Sequence, residues 1–561
     1  MSSVGIDAVP GPGRNSGWLD KERTIAGVGF NRWLVPPAAL AIHLCIGMAY
    51  GFSVFWLPLS KALPGVATCA KGTGFWGSLA AGLAEFTATD CNWTVSTLGW
   101  MYTLFFVFLG CAAAIWGGWL ERAGPRKAGV VSAACWCGGM LVSALGIHLH
   151  QFWLMILGSG VIGGIGLGLG YISPVSTLIK WFPDKRGMAT GMAIMGFGGG
   201  AMIGSPLAAE LMKSFATPDN VGVMQAFIAM AAIYFVFMIG GALSYRVPPT
   251  GWKPAGWTAP AAQASNTMIT QRHVHVKKVW GIPQFWLVWV VLCMNVSAGI
   301  GVIGMASPML QEIFGGSLIG VPAKYGELDK TQLAAIAGVA AGFAALLSLF
   351  NIGGRFFWAS LSDKIGRKGT YVVFFILGGL MYASIPSSAG AGSKPLFVGA
   401  VCVILSMYGG GFATVPAYLA DLFGTQMVGA IHGRLLTAWA FAGILGPIVV
   451  NYMRDYQLGL GIPREQVYNQ TMYILVGMLV IGLIANLMIR PVDAKHFMSD
   501  EELAHEKKLA HERAVAAEVG SGSGQGAATS SLTVILAWAA VGIPLAWGVY
   551  KTLINVGKFF H

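Results

Sequence analysis

The chain has 561 residues, of which 55% are hydrophobic and only 10% charged, with a mean hydropathy of +0.66. A typical soluble domain carries roughly 25% charged residues, and a water-soluble fold cannot hide this much apolar surface, so that class is excluded. The net charge of +12 invites a nucleic-acid partner, but the bases lie in short segments between apolar runs and not along one polar face, so none is expected.

Residues 1–32 hold Lys21, Arg23 and Arg32 near their end and read as a cytoplasmic tail before an uncleaved span. An apolar run of about 20 residues crosses roughly 30 Å of hydrocarbon. By that rule thirteen spans are predicted, over 34–59, 94–120, 128–147, 151–179, 187–211, 223–245, 284–312, 333–361, 370–388, 394–420, 429–453, 469–490 and 531–555. Between the first two spans lies a polar external insert, 60–93, with Cys69 and Cys91, where a disulfide can persist. The sequence leaves their pairing open. Cys45, Cys111, Cys135, Cys137, Cys293 and Cys402 sit inside apolar runs as small hydrophobes, and no metal or cofactor is expected.

With the N-terminus inside, the cytoplasmic loops hold Arg122, Arg126, Lys127, Lys185, Arg186, Arg246, Arg272, Lys277, Lys278, Lys364, Arg367 and Lys368. The opposite loops hold fewer bases, among them Lys61, Lys213, Arg454 and Arg464, so an N-in orientation in an inner (plasma) membrane is predicted. The resulting map has a tail 1–32, a six-helix bundle 33–246, a Pro-rich linker 247–283, a second bundle 284–490, a tether 491–530 and an extra helix 531–561.

The two bundles are copies. At an offset of 242, Glu121-Arg122 falls on Asp363-Lys364, Gly124 on Gly366, Pro174 on Pro416 and Gly187 on Gly429. The loop after the second span, 117–127 (GGWLERAGPRK), therefore matches that after the eighth, 360–368 (SLSDKIGRK). An acid at a helix end beside paired bases can make a contact in one conformation and release it in another. This predicts Glu121, Arg122, Asp363, Lys364 and Arg367 as conformational locks. The loops resemble the signature of the major facilitator superfamily, with Glu121 where that family usually has Asp and Ala359 where it usually has Gly.

Further stretches, 50–58 (YGFSVFWLP), 168–174 (GLGYISP), 351–358 (NIGGRFFW), 408–412 (YGGGF) and 420–424 (ADLFG), make residues 33–490 similar to the oxalate/formate antiporter family. The resemblance implies an all-α membrane fold of two pseudo-symmetric six-helix bundles, with the thirteenth helix as an addition, and a small organic anion as substrate.

Arg355 lies eight residues before Asp363, about 12 Å of helix inside the membrane boundary. An ionised residue at that depth is costly and a functional candidate by default, and a guanidinium grips a carboxylate with two parallel bonds. Asn351, one turn earlier, either orients Arg355 or makes an interhelical hydrogen bond. In the family resembled, an Arg in helix eight binds the anion and aromatics matching Tyr171, Tyr408 and Phe412 box it in. That family also has a Lys on helix eleven, where 435–440 (LLTAWA) puts Trp439. Arg434 either substitutes for it or caps the helix end.

With one cation, a monocarboxylate such as formate, lactate or pyruvate matches better than a dianion such as oxalate. Few acids lie away from the span ends, which favours anion exchange over proton symport. His43 and His432, which titrate near neutrality, keep symport open, and a carboxylate-binding sensor is the rival of another class. No nucleophile and base arrangement indicates an enzyme. A monomer suffices, although the oligomeric state is not legible.

Overall fold

The structure is a computed structural model that describes residues 18–27, 29–70, 72–249, 252–254, 256, 268–506, 508 and 529–557. The larger part of the expected tail, the middle of the linker and most of the tether lie outside the described residues. Among the described residues every long element is a helix, as hydrocarbon demands of a chain that must satisfy its own backbone.

The first half contains α1 (Arg32–Leu59), α2 (Val95–Ala123), α3 (Pro125–His148), α4 (152–181), α5 (Arg186–Phe215) and α6 (Val223–Ser244). The second half contains α7 (Pro283–Gly304, resuming as Ala306–Phe314), α8 (Lys330–Ile365), α9 (Arg367–Gly390), α10 (Lys394–Phe423), α11 (Val428–Gly459) and α12 (Asn469–Met488). The extra helix, α13, is Ser531–Gly557.

Local chemistry fixes where these helices start and turn. Pro125 and Pro283 occupy first positions, where a missing N–H costs nothing, and Asp329 with Gln332 forms a capping box at α8. The chain reverses after α2 at Gly124 (φ 85°, ψ 161°) and after α8 at Gly366 (φ 79°, ψ 155°). That backbone region admits essentially only glycine, which gives the repeated Gly of the two signature loops a physical cause.

The helices at the centre are interrupted. In α1 the segment Gly47–Phe55 tightens to a 3-10 helix, and α7 breaks at Met305, whose neighbour's freed carbonyl, Gly304 O, accepts from Trp56 Nε1 at 2.9 Å. Both helices that open a half, α1 and α7, are thus interrupted, and discontinuous helices commonly mark transport sites.

Two seams join the halves. Along α2 and α11, Ser96 Oγ donates to Asn451 O at 3.0 Å and Trp100 Nε1 to Tyr452 Oη at 2.6 Å. Along α5 and α8, Ser348 Oγ donates to Gly198 O. The insert folds over the first seam: Cys69 and Cys91 are joined by a disulfide, and the short helix Gly74–Ala84 brings Gly82 against Tyr452. Glu85 caps α2 by accepting from Thr94 N (2.8 Å) and Thr94 Oγ1 (3.0 Å).

Candidate functional site

Arg355 is 2% exposed and lies between the halves. Its Nε donates to Asn351 Oδ1 at 2.9 Å, one turn away on α8, and its guanidinium carbon sits 5.9 Å from the centre of the Phe412 ring. Glycines let the backbones close in around it. A Cβ at Gly354 would strike the Ser406 carbonyl of α10, one at Gly409 would strike the Asn351 carbonyl, and one at Gly198 would stand 3.0 Å from Arg355 Nε.

The aromatic residues expected on other helices converge on this cation. Trp439 packs 4.4 Å from Phe412 and 5.3 Å from Tyr171, and Tyr408 packs 5.4 Å from Phe412. Three residues not expected from the sequence complete the wall. Tyr50 on α1 shares a hydrogen bond with Tyr408 across the interface, Oη to Oη 2.9 Å, Phe197 on α5 stands 5.7 Å from Trp439, and Phe106 on α2 stands 5.5 Å from it. Tyr50 lies inside one of the stretches that carry the family resemblance, within the 3-10 segment of α1.

Several buried donors here have no hydrogen-bond partner among the described residues: Arg355 Nη1, Asn351 Nδ2 and Trp439 Nε1, with the Tyr102 hydroxyl close by. Leaving a buried polar group unpaired costs about 1–3 kcal/mol and more for a charged one. Among the described residues no Asp or Glu pairs with Arg355. The cluster thus offers donors, one fixed positive charge and aromatic faces, which suits a small anion.

Other expected residues lie elsewhere. Arg434 donates to the Val276 carbonyl at the linker end of α11, so it caps that end and does not share the pocket. His432 is on the same short first piece of α11, and its Nε2 has no partner among the described residues. His43 backs the pocket without lining it, with Nε2 3.1 Å from Tyr171 O and its ring stacked at 5.6 Å on Tyr171.

In the signature loop of the second half, Arg367 bonds Ser362 and Asp363 and approaches Asp421 of α10 at 3.7 Å, while Lys364 is exposed. Lys368 donates to the Leu487 and Ile489 carbonyls, both at 2.8 Å, closing the end of α12. The side chains of Glu121 and Arg122 lie outside the described residues.

The assignment of Arg454 to a loop needs correction. It belongs to α11, is 3% exposed, and joins a buried network in which Glu312 accepts from Arg454, from Arg464 at 2.6 Å and from Tyr468 at 2.7 Å. Asp455 accepts from Arg454 at 2.9 Å. Hydropathy ends a span at its first cluster of charge, and here the cluster neutralises itself inside the fold.

Two six-helix halves packed around a buried, donor-rich cluster are the architecture of a membrane transporter. The family model described as Major Facilitator Superfamily matches residues 65–447, and the chain belongs to that superfamily. It is 28% identical over 288 residues to an oxalate:formate antiporter of Oxalobacter formigenes, covering 51% of this chain and 59% of that protein, less than two thirds of its length. It is 22% identical over 444 residues to an apicoplast pyruvate carrier of Toxoplasma gondii, covering 70% of this chain and 78% of that one. Among solved structures, a D-xylose-proton symporter superposes with a TM-score of 0.54 at 15% identity, over 81% of this chain and 96% of that one, a likeness of fold.

Proposed function

We propose that this protein is a secondary transporter that exchanges small carboxylate anions across a cell's inner membrane, with its N-terminus cytoplasmic. The observation that carries this is the set of unpartnered buried donors around Arg355. The names of two relatives, an oxalate:formate antiporter and a pyruvate carrier, support the same substrate class.

A carboxylate lies across the outer edge of the guanidinium, whose Nε is already held by Asn351. Trp439 Nε1 and Asn351 Nδ2 supply further donors, and the Tyr50 and Tyr408 hydroxyls bridge the halves above. The pocket side chains are packed ring on ring with almost no exposure, which limits the substrate to a few heavy atoms. A single cation selects a monocarboxylate over oxalate by charge.

Binding neutralises Arg355 and lets the halves rock, opening either seam in turn. An empty carrier must carry a bare cation through the closed state, which is expensive. Exchange follows, because return is cheap only when loaded. Proton symport is the second reading, favoured by His43, which backs Tyr171 behind the pocket.

A thermal-shift screen of purified protein against formate, lactate, pyruvate and oxalate tests the substrate class. Monocarboxylates should raise the melting temperature in a saturable way in the wild type and not in Arg355→Ala. Equal stabilisation of that variant would overturn the assignment.

A further inference from the structure

A cavity of about 1050 Å³ lies at the ends of α1, α5 and α8 remote from the signature loops. Val54, Pro206, Glu210, Lys213, Ala341 and Lys551 are among its lining residues. It sits over the anion pocket on the same three helices. Tyr50 is one turn below Val54, Gly198 is about 12 Å of helix below Pro206, and Asn351 is about 15 Å below Ala341. The bond from Ser348 Oγ to Gly198 O ties α5 to α8 between the two spaces.

The wall of this cavity is completed by α13, which packs against α1 and α5 of one half and α8 of the other. Trp538 Nε1 donates to Trp33 O at 3.1 Å near its start, and Lys551 Nζ pairs with Glu210 at 2.9 Å near its end. Lys213, one turn past Glu210, forms no ion pair among the described residues. Two cations against one carboxylate leave the cavity lining at +1. Low-dielectric walls focus such a charge and raise the local concentration of counter-ions.

We propose that this cavity is an antechamber that gathers small anions for the Arg355 pocket, with α13 as its lateral wall and Lys213 and Lys551 as its collecting charges. The inference rests on the carboxylate reading of that pocket. It gives the thirteenth helix a task in the transport path: it closes off from lipid the side where α5 and α8 meet.

Accessibility tests it without any assumption about substrate. In a Cys111→Ser background, Ala337→Cys at the cavity wall is treated with an anionic and a cationic thiosulfonate of similar size. The anionic reagent should be favoured several-fold relative to a free thiol, and Lys213→Gln should abolish the preference. No labelling by either reagent, the result expected of a lipid-filled cavity, or no charge preference would overturn the proposal.

Sided exchange of formate in proteoliposomes supplies the second arm. Lys213→Gln, at net zero, should raise KM from the face remote from the signature loops roughly three-fold at low salt with kcat unchanged. Glu210→Gln, at net +2, should lower it. The double variant Glu210→Gln/Lys551→Gln, which returns the charge to +1, should restore it. If KM instead follows the presence of the Glu210–Lys551 pair, the lysines serve docking alone and the collecting role fails. Absence of carboxylate exchange by the wild type would sink the substrate reading and leave the labelling result standing.

Discussion

Replacing Arg355 by lysine keeps the charge and removes the fork. In the native pocket Nε is fixed by Asn351 Oδ1 at 2.9 Å, and Nη1 is free for a ligand. A carboxylate on that edge gains two charge-assisted bonds worth about 1.5–3 kcal/mol each. An ammonium supplies one, without the Asn351 brace, so affinity should fall roughly 10- to 150-fold. Ligand-dependent thermal shift gives the dissociation constant, and uptake gives KM and kcat. The companion variant Arg355→Met should stabilise the ligand-free protein, because a buried cation lacking a carboxylate partner is costly, and should lose the ligand-dependent shift. A merely structural Arg355 would show the reverse, a lower melting temperature with the shift retained. That result, or wild-type affinity in Arg355→Lys, would show that the guanidinium does not hold the anion.

Gly198→Ala places a Cβ 2.8 Å from Asn351 Oδ1 and 3.0 Å from Arg355 Nε; overpacking of about 1–3 kcal/mol should lower the melting temperature, and KM should rise because the brace is displaced. Trp439→Lys puts a second cation opposite Arg355 and should raise the ratio of oxalate to formate uptake; an unchanged ratio contradicts the charge-matching account. Burial holds the Glu85 carboxyl above the ordinary 4.5, against the lowering effect of the Thr94 and Thr97 donors. An acid with a raised folded value binds its proton more tightly when folded, so its contribution is fully present below about pH 4.5 and is lost as pH rises through the raised value. Glu85→Gln should remove that part of the decline in thermal stability between pH 4 and pH 7, and an unaltered slope would count against it.

The helices and their twofold repeat were legible because hydrocarbon imposes long apolar runs and because Gly124 and Gly366 sit where the backbone requires glycine. The burial of Arg355 was legible from its depth in the span. Tyr50, Phe106 and Phe197 were not, because an aromatic in an apolar run has no mark that separates packing from lining; the bond from Tyr50 to Tyr408 across the halves is seen only in the fold. The Glu312 and Arg454 network was hidden for the opposite reason, since charges near a span end look like a loop until their pairing is seen. Arg434 was ambiguous by position, and the Val276 carbonyl decides it.

Counterflow in proteoliposomes reads the exchange of small monocarboxylates at Arg355. Vesicles loaded with unlabelled formate should accumulate labelled formate transiently and saturably, empty vesicles should not, and Arg355→Ala vesicles should behave as empty ones. Binding without counterflow would show a sensor in place of a carrier, and counterflow undiminished in Arg355→Ala would remove Arg355 from the anion site.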